Sequence, residues 1–121
     1  MAQKDPTYDA AQIADKLKDL PGWSYREGWI HRTYETDGWP TTLMLVNLIG
    51  YLAEAADHHP DLAVSWSRVA VQLKNHSAGG VTDKDFELAR QLDAVALWRP
   101  VGGSLRGTPR KFVQAGSAGA S

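Results

Sequence analysis

Residues 41–60 read TTLMLVNLIGYLAEAADHHP, and this stretch decides the fold. Thr41 or Thr42 can cap a helix directly after Pro40, and His58-His59-Pro60 must end it because the residue before a proline avoids the helical conformation. The apolar residues in between nearly encircle the helix, as in a segment that is buried on more than one side. We therefore expect a helix over residues 41–57 that covers a sheet with one face and another subunit with part of the rest, in a homodimer or homotetramer.

Shorter elements precede this helix. Apolar residues at spacings of three and four predict a helix with one buried stripe over residues 8–20, which Pro21-Gly22 ends. Runs rich in aromatic and β-branched residues lie on either side of Gly28 and predict a hairpin of strands 23–27 and 29–36.

Two alternating segments follow the long helix. Apolar and small or polar residues alternate over residues 62–66 and again over 69–73, but the parity changes between the two runs. Because period two cannot change parity within a straight strand, residues 67–68 are expected to form a turn or bulge between two antiparallel strands. The alternation also favours a core position for Trp66 over a place at a pocket.

A third helix completes the pattern. Thr82 with Asp85 three positions later resembles a capping box, and the apolar spacing that follows predicts a helix to about residue 97. The element order is then α-β-β-α-β-β-α. It predicts an α+β domain in which a four-stranded antiparallel sheet has three helices packed on one face.

Composition sets the limits on function. The chain has 121 residues, enough for one domain, and its formal charge of -1 gives no global attraction to nucleic acid. The absence of cysteine excludes disulfides, thiolate metal sites and cysteine nucleophiles. No secretory signal pattern begins the chain, and its most apolar stretch is too short to cross a bilayer, so we expect a cytoplasmic protein without membrane association.

The chain beyond Pro100 has a different composition. Residues 101–121 hold five of the eleven glycines, no acidic residue and a charge of +3. This composition is typical of a flexible basic tail after a domain of residues 1–100. The charge could favour an acidic partner, although such a tail more often only keeps a protein soluble.

Histidines are the candidates for chemistry. His58 and His59 leave the long helix and His76 leaves the last strand, so antiparallel pairing is expected to return His76 close to the helix-to-strand corner. His58 alone would fit a helix C-terminal cap. A zinc site is conceivable, but the spacing matches no chelating motif. Proton transfer suits clustered imidazoles best, because imidazole can act as acid or base near neutrality.

These residues resemble a known family. Glu54-Ala-Ala-Asp57-His58-His59-Pro60, followed by Trp66, Leu73, Asn75-His76, Gly79-Gly80, Thr82, Asp85 and Ala89, is similar to the signature of the pterin-4a-carbinolamine dehydratases. The similarity runs from about residue 23 to residue 95. It implies helices over a four-stranded antiparallel sheet in dimers and tetramers, which agrees with the element order above.

The resemblance implies dehydration of a 4a-hydroxytetrahydropterin to the quinonoid dihydropterin, a step in recycling the cofactor of aromatic amino acid hydroxylases. The pterin is the substrate, and neither a cofactor nor a metal is implied. His58 and His76 would handle the protons while His59 positions the pterin, and the individual roles stay open. The implied substrate-binding residues are Glu54, Pro60, Asn75, Ser77, Ala78 and Asp85. The backbone around residues 58–60 and 75–78 would bind the polar edge of the ring, and the Glu54 and Asp85 carboxylates would lie close enough to orient histidines. A helix-capping role fits Asp85 at least as well.

Two positions differ from the family pattern. Leu62 stands where many members have an aromatic residue, and Asn75 stands where many have threonine. An alternative function is therefore open, that of an idle dehydratase-like module which binds protein, such as a RuBisCO assembly factor of α-carboxysomes. The possible protein partners are an aromatic amino acid hydroxylase for the enzyme and RuBisCO for the module.

Overall fold

Three helices and four strands follow one another in the order that the sequence predicts, in a computed structural model that describes residues 4–108 and 112–115. The elements are α1 (Ala10–Lys16), a short 3-10 turn (Leu17–Asp19), β1 (Ser24–Arg26), β2 (Trp29–Glu35), α2 (Trp39–Ala56), β3 (Asp61–Ser65), β4 (Arg68–Leu73) and α3 (Asp83–Ala96). The sheet order is β1-β2-β4-β3, and every neighbouring pair is antiparallel. The predicted α+β fold class is confirmed.

The register of the sheet sorts its side chains between two faces. Ile30 pairs with Leu73 and Tyr34 pairs with Val69, and all four side chains are buried. Because successive residues of a strand point to opposite faces, these pairs define the face that contacts the helices. The β1–β2 hairpin closes at Glu27-Gly28, where both residues have positive φ (54° and 89°), as a two-residue hairpin turn requires.

Helix α2 lies on the core with a narrow face. Leu45, Ile49 and Ala53 recur every fourth residue and are buried, whereas Met44 and Tyr51 are exposed. Burial of that one face stabilises the monomer. The apolar residues on the other sides of the helix stay available for contact with another subunit. The second subunit that we expect on them stays a prediction. Within the described residues no helix combines the length and hydropathy that crossing a membrane requires.

Trp66 does not lie in the core, contrary to the prediction from alternation. The turn between β3 and β4 consists of Trp66-Ser67, one residue earlier than expected, and Ser65 pairs with Arg68. A side chain in a two-residue turn does not share the face of the preceding strand, and Trp66 is 67% exposed. Strand β3 is also an edge strand, which leaves Val64 exposed as well.

A buried polar cluster joins β2 to α3. The Asp93 carboxylate accepts hydrogen bonds from the Tyr34 hydroxyl (2.5 Å), the Trp23 indole (2.9 Å) and the Arg32 guanidinium (3.1 Å). Burial, together with the negative charge of Asp93, raises the pKa of Tyr34 above its usual range. Asp93 thus pairs with the charge of the buried Arg32, because burial of an unpaired guanidinium would strongly destabilise the folded state.

Residues 112–115 contact the domain, although the composition of residues 101–121 is typical of a flexible tail. Val113 is buried, Gln114 forms a two-way backbone bridge with Glu35, and the Ala115 carbonyl accepts a hydrogen bond from Arg32 (2.9 Å). Residues 112–115 therefore lie alongside the end of β2. Residues 109–111 and 116–121 of the predicted tail lie outside the described residues.

Candidate active site

The end of α2 directs His58 toward α3. Asp57 adopts a left-handed conformation (φ 52°, ψ 43°) that stops the helix, and the backbone N–H of His58 donates to the Ala53 carbonyl at 3.1 Å. The helix end is thus satisfied by backbone groups. The His58 side chain is free for another contact, so its role is not that of a C-terminal cap.

The imidazole of His58 contacts a carboxylate that is completely buried. Nε2 of His58 lies 2.6 Å from Oδ1 of Asp85, whose side chain is 0% exposed. An ionised carboxylate only accepts hydrogen bonds, so Nε2 carries the hydrogen. In the neutral ring Nδ1 is then the acceptor, and within the described residues it has no hydrogen-bond partner. Asp85 therefore selects the tautomer in which Nδ1 can accept a proton.

Asp85 also caps α3, through its other oxygen. Oδ2 accepts from the backbone N–H of Thr82 at 2.8 Å, and the Thr82 side chain completes a capping box at the start of the helix. The two alternatives that the sequence left open for Asp85 are thus compatible. One oxygen holds the helix start and the other holds His58, so the capping box sets the position of the imidazole.

His59 is paired in a similar way but at the surface. Its Nε2 donates to Oε1 of Glu54 at 2.5 Å, and both side chains are more than half exposed. Glu54 lies in the last turn of α2, five residues before His59, so its side chain can reach the segment that follows the helix. Pro60 comes next and leads into β3. His58 and His59 therefore have different surroundings, one at a buried carboxylate and one in solvent.

The segment that carries His76 is a tight loop closed on Asn75. The backbone of Asn75 forms a bridge with Gly80, and its side-chain Oδ1 accepts from the N–H of Ala78 at 3.1 Å. Asn75 is buried, whereas His76 and Ser77 are exposed. The loop consequently uses Asn75 as its internal support and presents the next two side chains outward.

Hydrogen bonds connect this loop with the carboxylate that holds His58. The Asn75 amide donates to the Thr82 hydroxyl (3.3 Å), and Thr82 in turn contacts Oδ2 of Asp85. The His58 corner and the His76 loop, which are distant in the chain, are therefore anchored to one helix start. The side chain of Asn75 is used within this network, and the predicted contact of its backbone with the pterin stays a prediction.

Asp5 is a further member of the network that sequence reasoning missed. Its carboxylate accepts from Asn75 (3.1 Å) and from Lys84 (2.8 Å). The hydrogen bond from Lys84 holds the pKa of Asp5 below its usual range, and the same bond raises the pKa of Lys84. No motif in the N-terminal residues indicates this contact, because it depends on where the chain before α1 crosses the loop.

His76 itself contacts an aromatic ring. The rings of Trp29 and His76 are edge to face with centroids 5.3 Å apart, and the ammonium of Lys74 lies 5.5 Å from the Trp29 ring. Trp29 begins β2, next to the end of β4, and strand order alone brings it there. Within the described residues no hydrogen bond or ring contact joins one histidine of the trio to another. Their convergence on one ligand stays a prediction.

A hollow of about 430 Å³ opens beside His58, between α2 and α3. Leu52, Ala56 and Leu88 contribute apolar walls, and Lys84 lies at the same hollow. Neither His59 nor His76 lines it. Among the residues that the structure describes, no group of three or more histidine, aspartate and glutamate side chains is arranged to hold a metal ion. The fourth histidine, His31, is buried elsewhere and contacts the Arg26 carbonyl at 3.1 Å.

Comparison with known proteins gives a consistent result. A sequence model of the family described as pterin 4 alpha carbinolamine dehydratase matches residues 6–95. Relatives whose names place them among the pterin-4-alpha-carbinolamine dehydratases include one from Nocardia farcinica, 44% identical over 85 residues (70% of this chain and 90% of the relative). Another, from Aquifex aeolicus, is 43% identical over 82 residues (68% and 83%).

A solved structure agrees with the sequence comparisons. The crystal structure of a transcriptional coactivator/pterin dehydratase from Brucella melitensis superposes with a TM-score of 0.71 at 29% sequence identity. It covers 75% of this chain and 99% of the other chain. The residues from about 96 onward lie beyond the family match.

Proposed function

This chain belongs to the pterin-4a-carbinolamine dehydratase family, and from that premise we propose that it dehydrates a 4a-hydroxytetrahydropterin to the quinonoid dihydropterin by histidine acid and base catalysis. The observation that supports the proposal best is the buried Asp85 carboxylate on Nε2 of His58. A structural histidine does not need a fully buried carboxylate partner that also leaves its other nitrogen free.

In the proposed reaction His58 is the base. Its neutral ring accepts the proton from N5 of the pterin at Nδ1, while Asp85 keeps the hydrogen on Nε2. The electron pair of the N5–H bond forms the N5–C4a double bond, and the C4a–O bond breaks. The hydroxyl leaves as water with a proton from a general acid.

We assign the general acid to His76. It is exposed, it has no carboxylate partner among the described residues, and its loop is anchored to the same helix start as His58. His59, held by Glu54 at the surface, would position the pterin together with the backbone around Pro60, Ser77 and Ala78. In a homodimer or homotetramer, which we expect, every subunit would carry one such site.

The test measures the rate at which 4a-hydroxytetrahydropterin disappears in the presence of the wild type, His58→Ala, His76→Ala and His31→Gln. Removal of a proton-transfer residue should slow the reaction by about 10²- to 10⁴-fold. His31→Gln is the matched control, since His31 lies outside the site and should keep the rate within a few-fold.

The pH profile separates the two roles. Loss of His58 should remove the limb in which a base must be deprotonated, and loss of His76 the limb in which an acid must be protonated. A wild-type protein that gives no acceleration over buffer would reject the enzyme. It would leave a module of the same fold that acts by binding.

A further inference from the structure

A second cavity, of about 520 Å³, lies away from the histidines. It is formed by the first half of α2, the last turn of α3, and residues that follow α3. None of the candidate site residues lines it. One wall, which includes Trp98, Leu105 and Phe112, comes after residue 95, where the family match ends. The cavity is therefore a property of this chain and not of the shared domain.

The wall is held in place by specific contacts. The Arg99 guanidinium donates to the carbonyls of Val113 and Trp98 and lies 6.0 Å from the Phe112 ring. Val113 is buried, and its neighbour Gln114 is bridged to β2. These contacts fix both ends of the segment around the cavity. A volume of this size falls in the range of small-molecule sites, about 300–1,000 Å³.

The charged side chains among the described lining residues are all positive. Most of the lining is apolar, with Met44, Leu45, Leu48 and Leu105 among its side chains, and the charged residues among its described lining are Arg99 and Arg106. Arg99 already donates to two carbonyls. Arg106 has no ion pair or hydrogen bond with any residue in 4–108 or 112–115. One free guanidinium at an apolar cavity is suited to one carboxylate, which it can bind through two parallel hydrogen bonds.

We propose that this cavity binds a small amphipathic monocarboxylic acid, with its apolar body between α2 and Leu105 and its carboxylate on Arg106. An amino acid is a poor candidate because no acidic side chain is among the described lining residues to receive its ammonium group. The proposal does not depend on the dehydratase reaction.

The test is calorimetric titration of the full chain with 4-phenylbutyrate and with 3-phenylpropylamine, which share the phenylpropyl body and differ in the head group. The carboxylate should bind and the amine should not. Arg106→Gln should weaken binding of the carboxylate by about 10- to 100-fold, the loss expected for charge-assisted hydrogen bonds. Arg90→Gln is the matched control, because Arg90 is an exposed arginine of α3 that does not line the cavity.

A second variant tests the position of the ligand. Leu105→Asp places a negative charge in the cavity and should abolish binding without changing the melting temperature, since Leu105 is largely exposed. Equal affinity for the amine, or equal loss in Arg106→Gln and Arg90→Gln, would overturn the proposal. So would failure of 4-phenylbutyrate to bind while Leu105→Asp dissociates an oligomer in sedimentation, because the cavity would then be an interface between copies.

Discussion

Replacement of Asp85 by asparagine separates the two functions of one carboxylate. In the wild type Oδ2 accepts from Thr82 and Oδ1 from His58, and the group is fully buried. An asparagine keeps one oxygen and gains a donor. If its oxygen faced His58, its NH₂ would meet the Thr82 N–H, donor against donor, and the cap would also be lost. We therefore expect the oxygen to stay on Thr82.

In that arrangement the new NH₂ donates to Nε2 of His58 and forces the hydrogen of the neutral ring onto Nδ1. The base is then in the wrong tautomer, and the rate of 4a-hydroxytetrahydropterin loss should fall by about 10²- to 10⁴-fold. The helix cap survives, so the free energy of unfolding should fall only by about 1.5–3 kcal/mol, the contribution of one charge-assisted hydrogen bond.

Urea denaturation and single-turnover kinetics measure the two effects on the same preparations. Asp9→Ala is the control, because Asp9 and Gln12 form a capping box at α1 that contacts no histidine. It should cost about 1 kcal/mol of stability and leave the rate within threefold. The reasoning is wrong if folded Asp85→Asn keeps the wild-type rate, or if Asp9→Ala slows the reaction equally.

Three further variants test contacts that stabilise the fold. Asn75→Ala removes three hydrogen bonds of the loop and should lower the free energy of unfolding by about 2 kcal/mol in urea titrations; a change below 0.5 kcal/mol would contradict the supporting role of Asn75. Tyr34 keeps its proton in the folded state above pH 10, where the unfolded chain loses it, so the free energy of unfolding should decline there by as much as about 1.4 kcal/mol per pH unit. Tyr34→Phe should remove this contribution to the pH dependence of the free energy of unfolding, measured by denaturation from pH 9 to 11. An unchanged pH dependence would argue against the Asp93 cluster. Val113→Ala should lower the melting temperature through the loss of about 1–2 kcal/mol of buried apolar surface, whereas a solvated segment would show no change.

The sequence by itself predicts those features that neighbouring residues determine. The helix α2 ends just before His58-His59-Pro60, at a left-handed Asp57, Glu27-Gly28 closes a hairpin, and Thr82 with Asp85 starts α3. These signals operate within a few residues, so they predict the elements, their order and the α+β class. The family signature, which includes His58, His59 and His76, can also be recognised in the sequence, and it predicts a dehydratase.

Tertiary structure decided what depends on distant partners. The strand order puts β3 at an edge, so alternation that predicts a core position for Trp66 describes a surface residue in a turn. Asp85 was recognisable as a cap, and the family resemblance implied that it orients a histidine, but only the approach of α2 to α3 shows that one oxygen caps the helix while the other contacts His58. Asp5 on Asn75 and Ala115 on Arg32 have no local signal at all. A hydrogen bond across 70 residues leaves no periodicity in the sequence, because its partners are matched by the path of the whole chain.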